Sequence, residues 1–346
     1  MLNNFFVKIY LFTILSLTFI SANILTIDIQ SFHDYNNSIQ ITITNNSNED
    51  IKISKNDIPY ENKIRKDIFN IFSNSEKIPY IGKLIKLNTD KQEYIILRPY
   101  ENYSTKINLL KYYDLPSNEV VVISYKKDII GHNYPIEKYF YSFTTKIHPY
   151  KKKFKTLSKS HVLYNQCSQS QIRIINNATL QAKTLTHMAY EILLYEQGIN
   201  IWSENYTTWF GSPSIARQNS VLSSLRKIYK AFETKTLHYD CSCTDEYYAY
   251  VYPNIPYDIY LCNGFWSAEI VGSDSQTGIL VNQMSKFDNV ANTQNHTLGE
   301  SEAKRLASEF PQYTITNADS YEYFIENLFK EDKEFLWLVP LISLML

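Results

Sequence analysis

Seven histidines and four cysteines are the side chains of this 346-residue sequence best suited to metal or nucleophilic chemistry. The histidines are His33, His132, His148, His161, His187, His238 and His296. Two imidazoles four residues apart on a helix, with a glutamate beside the first, would hold zinc and a base for its bound water. No histidine here is followed by glutamate, and no two are four apart. They read as surface or core residues. A Gly-x-Ser-x-Gly nucleophile turn is also absent. Cys167, Cys241, Cys243 and Cys262 are even in number and all lie in the second half. One residue separates Cys241 from Cys243, which disfavours a bond between those two. Cys167–Cys241 with Cys243–Cys262 remains, or the crossed pairing. A zinc-thiolate site is the competing use, but the spacing lacks a double Cys-x-x-Cys pattern.

The elements that must hold these residues come in two kinds. Residues 24–147 read as a β-rich N-terminal domain. Ile24 to Ile29 and Ser38 to Thr44 alternate with period two, and Asn45-Asn46-Ser47-Asn48 is a turn before Ile51-Lys52-Ile53. Further strand-like runs are Tyr80 to Leu87, Glu93 to Leu97, Ser104 to Leu110, Glu119 to Tyr125 and Tyr139 to Ile147. Short strands at this spacing predict an antiparallel sandwich. Residues 148–165 form a basic stretch around Lys151-Lys152-Lys153-Phe154-Lys155, read as a solvated linker, with a processing site between a propeptide-like first domain and a mature second domain as the sharper alternative. From Cys167 the period becomes helical. Helices are predicted over Asn177 to Glu196, Ser214 to Phe232, Ser275 to Phe287, Glu300 to Phe310 and Asn317 to Phe329. Strands are predicted at Tyr247 to Val251 and Tyr257 to Leu261. The fold class is α+β: an all-β, sandwich-like first domain, then a helix-rich domain over 166–330.

Composition bounds the function. The chain carries 34 basic against 35 acidic side chains, which removes the electrostatic case for a nucleic-acid binder. No interior apolar run reaches a membrane-spanning length. Residues 1–22 read as a secretory signal, with Lys8 before the apolar run Ile9 to Ile20 and a cleavage site at Ile20-Ser21-Ala22. An uncleaved anchor is the alternative, but the run is short for a span. Export makes disulfides expected, and six glycosylation sequons follow, at Asn36, Asn45, Asn102, Asn177, Asn205 and Asn295. The apolar tail 331–346 is too short to span. Lys330 to Glu334 offers no small-residue attachment site for a lipid anchor, so the tail reads as a packed terminal segment.

Three segments together carry a family resemblance: Tyr206-Thr207-Thr208-Trp209-Phe210-Gly211; the run from Asp240-Cys241-Ser242-Cys243 through Tyr252-Pro253-Asn254 to Phe265-Trp266; and Asn317-Ala318-Asp319-Ser320-Tyr321-Glu322-Tyr323-Phe324. They resemble the deuterolysin and peptidyl-Lys metalloendopeptidase family of secreted zinc peptidases, over about residues 160–328. The first half also resembles that family's β-rich N-terminal domain, through Ile78-Pro79-Tyr80-Ile81-Gly82 and Tyr112-Tyr113-Asp114-Leu115. The resemblance implies a zincin-like fold and the pairing Cys167–Cys241 with Cys243–Cys262.

The same resemblance exposes a departure. Family members place a zinc-binding His, a general-base Glu and a second His where this chain has Asn282, Gln283 and Lys286. Asn295 stands at the Asp ligand and Leu298 at the oxyanion-stabilising Tyr. Asn is a poor ligand beside imidazole or carboxylate, an ammonium repels a dication, and Gln cannot accept a proton at neutral pH. No cofactor is therefore expected, and an inactive, secreted family member is the first reading. Asp319 and Glu322 match the acidic pair that lines the family's pocket for a substrate lysine, so a Lys-containing peptide or a partner protein is the expected ligand. Helix capping by Asp319 and a solvated Glu322 are the plainer uses. Lys286 pairing with one of these carboxylates is a further expectation. The alternative is an active zinc endopeptidase cleaving next to lysine with unrecognised ligands, His296 among them.

Overall fold

Alternating isoleucines build the first half. In the computed structural model the described residues are 24–31, 37–88, 93–116, 119–126, 140–144 and 162–328. The signal-like segment, the lysine run and the apolar tail lie outside them. The first ten strands are β1 (Leu25–Ser31), β2 (Ser38–Asn45), β3 (Ile51–Ser54), β4 (Phe69–Ser73), β5 (Glu76–Lys77), β6 (Leu84–Lys86), β7 (Tyr94–Leu97), β8 (Asn102–Asn108), β9 (Val120–Tyr125) and β10 (Phe140–Thr144). β1, β2 and β8 form one antiparallel sheet, in which Ile27 faces Ile43 and Ile29 faces Ile41. These four side chains are buried, because period-two alternation sends every second residue to the same face. A second sheet runs β10-β9-β4-β5, and β3 pairs with β7.

Three of these strands differ from expectation. The hairpin β4–β5 has little alternation to announce it, but Asn74 and Ser75 both take positive φ, as a tight two-residue turn requires. The expected strand Tyr80 to Leu87 shortens to Leu84–Lys86. Tyr80 instead makes an isolated bridge to Tyr113, and the Tyr113 hydroxyl donates to Asp67 at 2.7 Å.

The second half adds β11 (Val162–Asn165), β12 (Leu237–Asp240), β13 (Ala249–Val251) and β14 (Asp258–Leu261). The linker expected over 148–165 thus ends early, since Val162–Asn165 pairs in parallel with Leu237–Asp240. The sheet order is β11-β12-β14-β13-β6. Its last strand comes from the first half and lies antiparallel on β13, with Lys86 opposite Ala249 and Leu84 opposite Val251.

Seven helices complete the described residues: α1 (Gln169–Gly198), α2 (Glu204–Phe210), α3 (Ile215–Thr234), α4 (Asn263–Ser267), α5 (Gln276–Ser285), α6 (Glu300–Glu309) and α7 (Ala318–Glu326). α1 starts earlier than its apolar spacing suggests, because Ser168 and Gln171 close a reciprocal capping box. α1 packs along α3, and α5 is held between α1 and α7. One continuous core runs from Ile27 and Ile41 to Leu280 and Phe324. The α+β class stands: a sheet-rich first half precedes a helix-rich second half. No helix among the described residues is long and apolar enough to cross a membrane.

The disulfides are Cys167–Cys241 and Cys243–Cys262, the pairing that the resemblance implies. Cys167 precedes α1 and Cys241 follows β12, so the first bond ties the longest helix to the sheet. Two sequons are structurally closed: Asn45 is fully buried and donates to the carbonyls of Leu97 and Arg98, and Asn205 is buried against Phe324. The two cross-links close chain segments separated by 74 and 19 residues. Chain-entropy arguments give about 4 kcal/mol for the longer loop and about 3 kcal/mol for the shorter. Urea unfolding should therefore show a larger loss for Cys167→Ser/Cys241→Ser than for Cys243→Ser/Cys262→Ser. The reverse order would place the stabilisation in local geometry.

Candidate functional site

The site grows from α5, whose ten residues are all buried. Ser275 caps the helix, its side chain accepting from Gly278 N at 3.0 Å. Glu326, at the end of α7, accepts from Ser275 N at 2.8 Å and from its hydroxyl at 2.6 Å. A carboxylate at a helix N-terminus opposes the helix dipole favourably. Gly278 makes this approach possible, since a Cβ there would lie 2.0 Å from the Glu326 carboxylate.

The catalytic-motif positions then follow along the helix. Asn282 is fully buried and gives its Nδ2 hydrogens to Asp319 Oδ1 at 2.9 Å and Glu322 Oε2 at 2.8 Å. Its Oδ1 accepts from Gln283 Nε2 at 3.2 Å. Gln283 is also fully buried, and its Oε1 has no partner. Lys286, at the C-cap, is 0% exposed and donates to the backbone carbonyl of Ile85 at 3.4 Å. The same carbonyl accepts from Asn295 Nδ2 at 2.5 Å. Leu298 is half-buried. His296 is exposed and turns away, its Nε2 sitting 2.9 Å from Thr316 Oγ1.

α7 brings the acidic pair to the same place. Asp319 and Glu322 are 1% and 0% exposed, so neither is a solvated first-turn charge. Capping is not their use either: the N-cap of α7 is Asn317. Asp319 Oδ2 accepts from Gly299 N at 2.9 Å, where Gly299 takes φ of +86°. The lysine that pairs with them is not Lys286. It is Lys86 of β6, whose Nζ lies 2.7 Å from Glu322 Oε2, 3.2 Å from Asp319 Oδ1 and 3.1 Å from Asp274 Oδ1. The ammonium also stands 5.1 Å from the Tyr323 ring centre, and the Tyr323 hydroxyl donates to Asp274 at 2.9 Å. Lys86, Asp274 and Glu326 were not legible as site residues. Lys86 lies 233 positions from Asp319 in an ordinary alternating run, so no local pattern marks it.

The two lysines feel opposite environments. Burial works against the Lys86 ammonium, but Asp319 and Glu322, with Tyr323 and Asp274, outweigh it and hold its pKa well above the ordinary 10.5. Lys286 has carboxylates only at longer range. Burial, then repulsion from Lys86, push it down to about 7 against the pull of Asp319 and Glu322. Burial raises Glu326 to about 7 despite its bonds to Ser275.

A zinc ion, implied by the resemblance, does not fit these donors. Positions 282, 286 and 295 carry two amides and an ammonium. Asn282 turns its hydrogens to the carboxylates, and Lys286 aims a cation at the carbonyl that Asn295 also meets. Among the described residues no group of three or more His, Cys, Asp and Glu could hold a metal ion.

Comparison with known proteins agrees with the resemblance. Residues 200–326 match the model of the lysine-specific metallo-endopeptidase family. An extracellular protease of Aeromonas hydrophila is 43% identical over 124 residues, 36% of this chain and 36% of its own length. A peptidyl-Lys metalloendopeptidase of Armillaria mellea is 38% identical over 167 residues, 48% of this chain and 46% of its own length. The peptidyl-Lys metalloendopeptidase of Pleurotus ostreatus is 37% identical over 163 residues, 46% of this chain and 94% of that relative. The match thus spans less than half the length of the first two relatives.

Two substitutions separate the roles of the lysines. Lys86→Met strands buried carboxylates without their cation, which typically costs about 3–5 kcal/mol. Adding Glu322→Gln to it should recover part of that loss in urea unfolding. Lys286→Met acts through pH. The folded ammonium loses its proton near pH 7 and the unfolded one near 10.5, so the unfolded chain holds more protons in between and stability rises with pH across that window. That rise should vanish in Lys286→Met. An unchanged slope would place the titration elsewhere.

Proposed function

We propose that this chain, which belongs to the family of lysine-specific metallo-endopeptidases, recognises lysine-bearing peptide without hydrolysing it. The observation that carries the reading is the contrast within one site. The carboxylates of Asp319 and Glu322 meet the ammonium of the chain's own Lys86 at contact distance, the contact a ligand lysine would make. The neighbouring positions that should activate water hold Asn282, Gln283, Lys286 and Asn295.

Peptide hydrolysis by a metalloendopeptidase needs a polarised carbonyl, an activated water and a base for its proton. This chain supplies part of the first need. Lys286 and Asn295 donate to the chain's own Ile85 carbonyl next to the lysine pocket, as they would to a peptide carbonyl in its place. The amide of Gln283 takes up no proton at neutral pH, and a positioned base contributes roughly 10²- to 10⁴-fold to rate. Asn282 spends its hydrogens on Asp319 and Glu322, which fixes the pocket rather than a nucleophile. The site therefore binds and orients a peptide and lacks the groups that would cleave it. A secreted location is supported by the signal-like N-terminus, by two disulfides and by the extracellular relative from Aeromonas hydrophila. The ligand in this reading is a Lys-containing peptide or a partner protein that presents one.

The test is elemental analysis of the purified chain after dialysis against trace zinc, alongside a cleavage assay on a Lys-containing protein with and without EDTA. Zinc well below one per chain and no EDTA-sensitive cleavage are expected. Zinc near one per chain with EDTA-sensitive cleavage next to lysine would establish an active peptidase with other ligands.

A further inference from the structure

β6 occupies the cleft as a bound peptide would. Three kinds of contact recognise an extended peptide at a sheet edge: backbone pairing, a fixed carbonyl and a side-chain pocket. Each is met here by the chain itself. Leu84–Lys86 lies antiparallel on β13, and Tyr248 N donates to the Lys86 carbonyl at 3.0 Å. The Ile85 carbonyl receives Asn295 and Lys286, which stand at the family's metal-ligand positions. The next side chain, Lys86, fills the acidic pocket. The Ile85–Lys86 peptide bond thus sits directly beside the lysine pocket. It lies beside side chains that can grip it and not cut it.

The fit is incomplete in an informative way. Glu322 Oε1, Gln283 Oε1 and Asn295 Oδ1 are buried acceptors without a partner. β6 is only three residues long. A short occupant that leaves acceptors unmet can give way to a longer peptide that meets them.

We propose that Leu84–Lys86 is a tethered internal ligand that closes the cleft, and that an extended peptide with lysine after an apolar residue binds by displacing it from β13. The inference rests on reading Asp319 and Glu322 as a lysine pocket. Tethering sets a high local concentration of the occupant, so the affinity for an outside peptide is lowered in proportion to the open fraction.

The probe is a fluorescent hexapeptide, Gly-Lys-Leu-Ile-Lys-Leu, copied from residues 82–87. It is titrated into the full chain and into Lys86→Ala, each checked for native circular dichroism. The variant should bind at least ~10-fold more tightly than the unaltered chain. Replacing the second lysine of the peptide with alanine, or adding Glu322→Gln to the variant, should remove the gain. Equal affinity for both chains, or no binding by a folded variant, overturns the tethered-ligand proposal.

A second measurement uses the unaltered chain, so a variant that fails to fold does not stop the test. Acylation of Lys86 is followed by peptide mapping beside that of exposed Lys77. Lys86 should react at least ~10-fold more slowly, and saturating hexapeptide should speed it towards the Lys77 rate. Equal rates without peptide, or a Lys86 rate that peptide leaves unchanged, overturns the proposal. Neither measurement depends on zinc or cleavage. Equal affinity for both chains overturns the tether alone, no binding by a folded variant overturns the lysine-pocket reading with it, and a zinc-dependent activity leaves the tether standing.

Discussion

A lysine ammonium that is 2% exposed must be met by negative charge at contact distance, and here Lys86 is met by Asp274, Asp319 and Glu322. Much of the site follows from that requirement. Asp319 and Glu322 come from one face of α7, one turn apart. Asp274 comes from the loop before α5. Lys86 comes from the first half of the chain. A single buried cation thus joins three separate segments, and the sheet register of β6 on β13 is what delivers it.

The helix α5 is organised by contacts among protein groups. Here the polar side chains converge on other protein groups. Asn282 bridges the two carboxylates, Ser285 meets Thr293 at 2.6 Å, and Lys286 reaches the Ile85 carbonyl. Every residue of the helix is buried, so each polar group needs a partner. The arrangement supplies most of them and leaves Gln283 Oε1 unmet. The Lys286 ammonium has only a long hydrogen bond and a cationic neighbour in Lys86, and burial pushes its pKa down to about 7.

The contrast between recognition and hydrolysis has a chemical basis. Gripping an ammonium takes carboxylates in a dry pocket, and Asp319 and Glu322 supply them to Lys86. Activating water takes a metal or a base; the side chains at 282, 283, 286 and 295 are three amides and a lysine, and their hydrogen bonds go to other protein groups. The two sets touch, because Asn282 of α5 donates to both Asp319 and Glu322 of α7.

Much of this was written in the sequence. Alternating isoleucines specify the first strands, since one face must be apolar to be buried. Helical apolar spacing places α3, α5 and α7 to within a few residues. The cysteine count, with the family resemblance, gives both disulfides, and the motif positions identify which side chains occupy the cleft. The tertiary structure alone decided what those side chains do. Local periodicity carries no information about a partner 233 residues away, so Lys86 as the partner of Asp319 and Glu322 was invisible until the β6–β13 register brought them together. For Asp319 the sequence left a pocket residue and a helix cap both open, and packing makes it a buried counter-ion. Sequence fixes which groups are available and which faces must be buried; the long-range pairing of strands determines which buried charges meet.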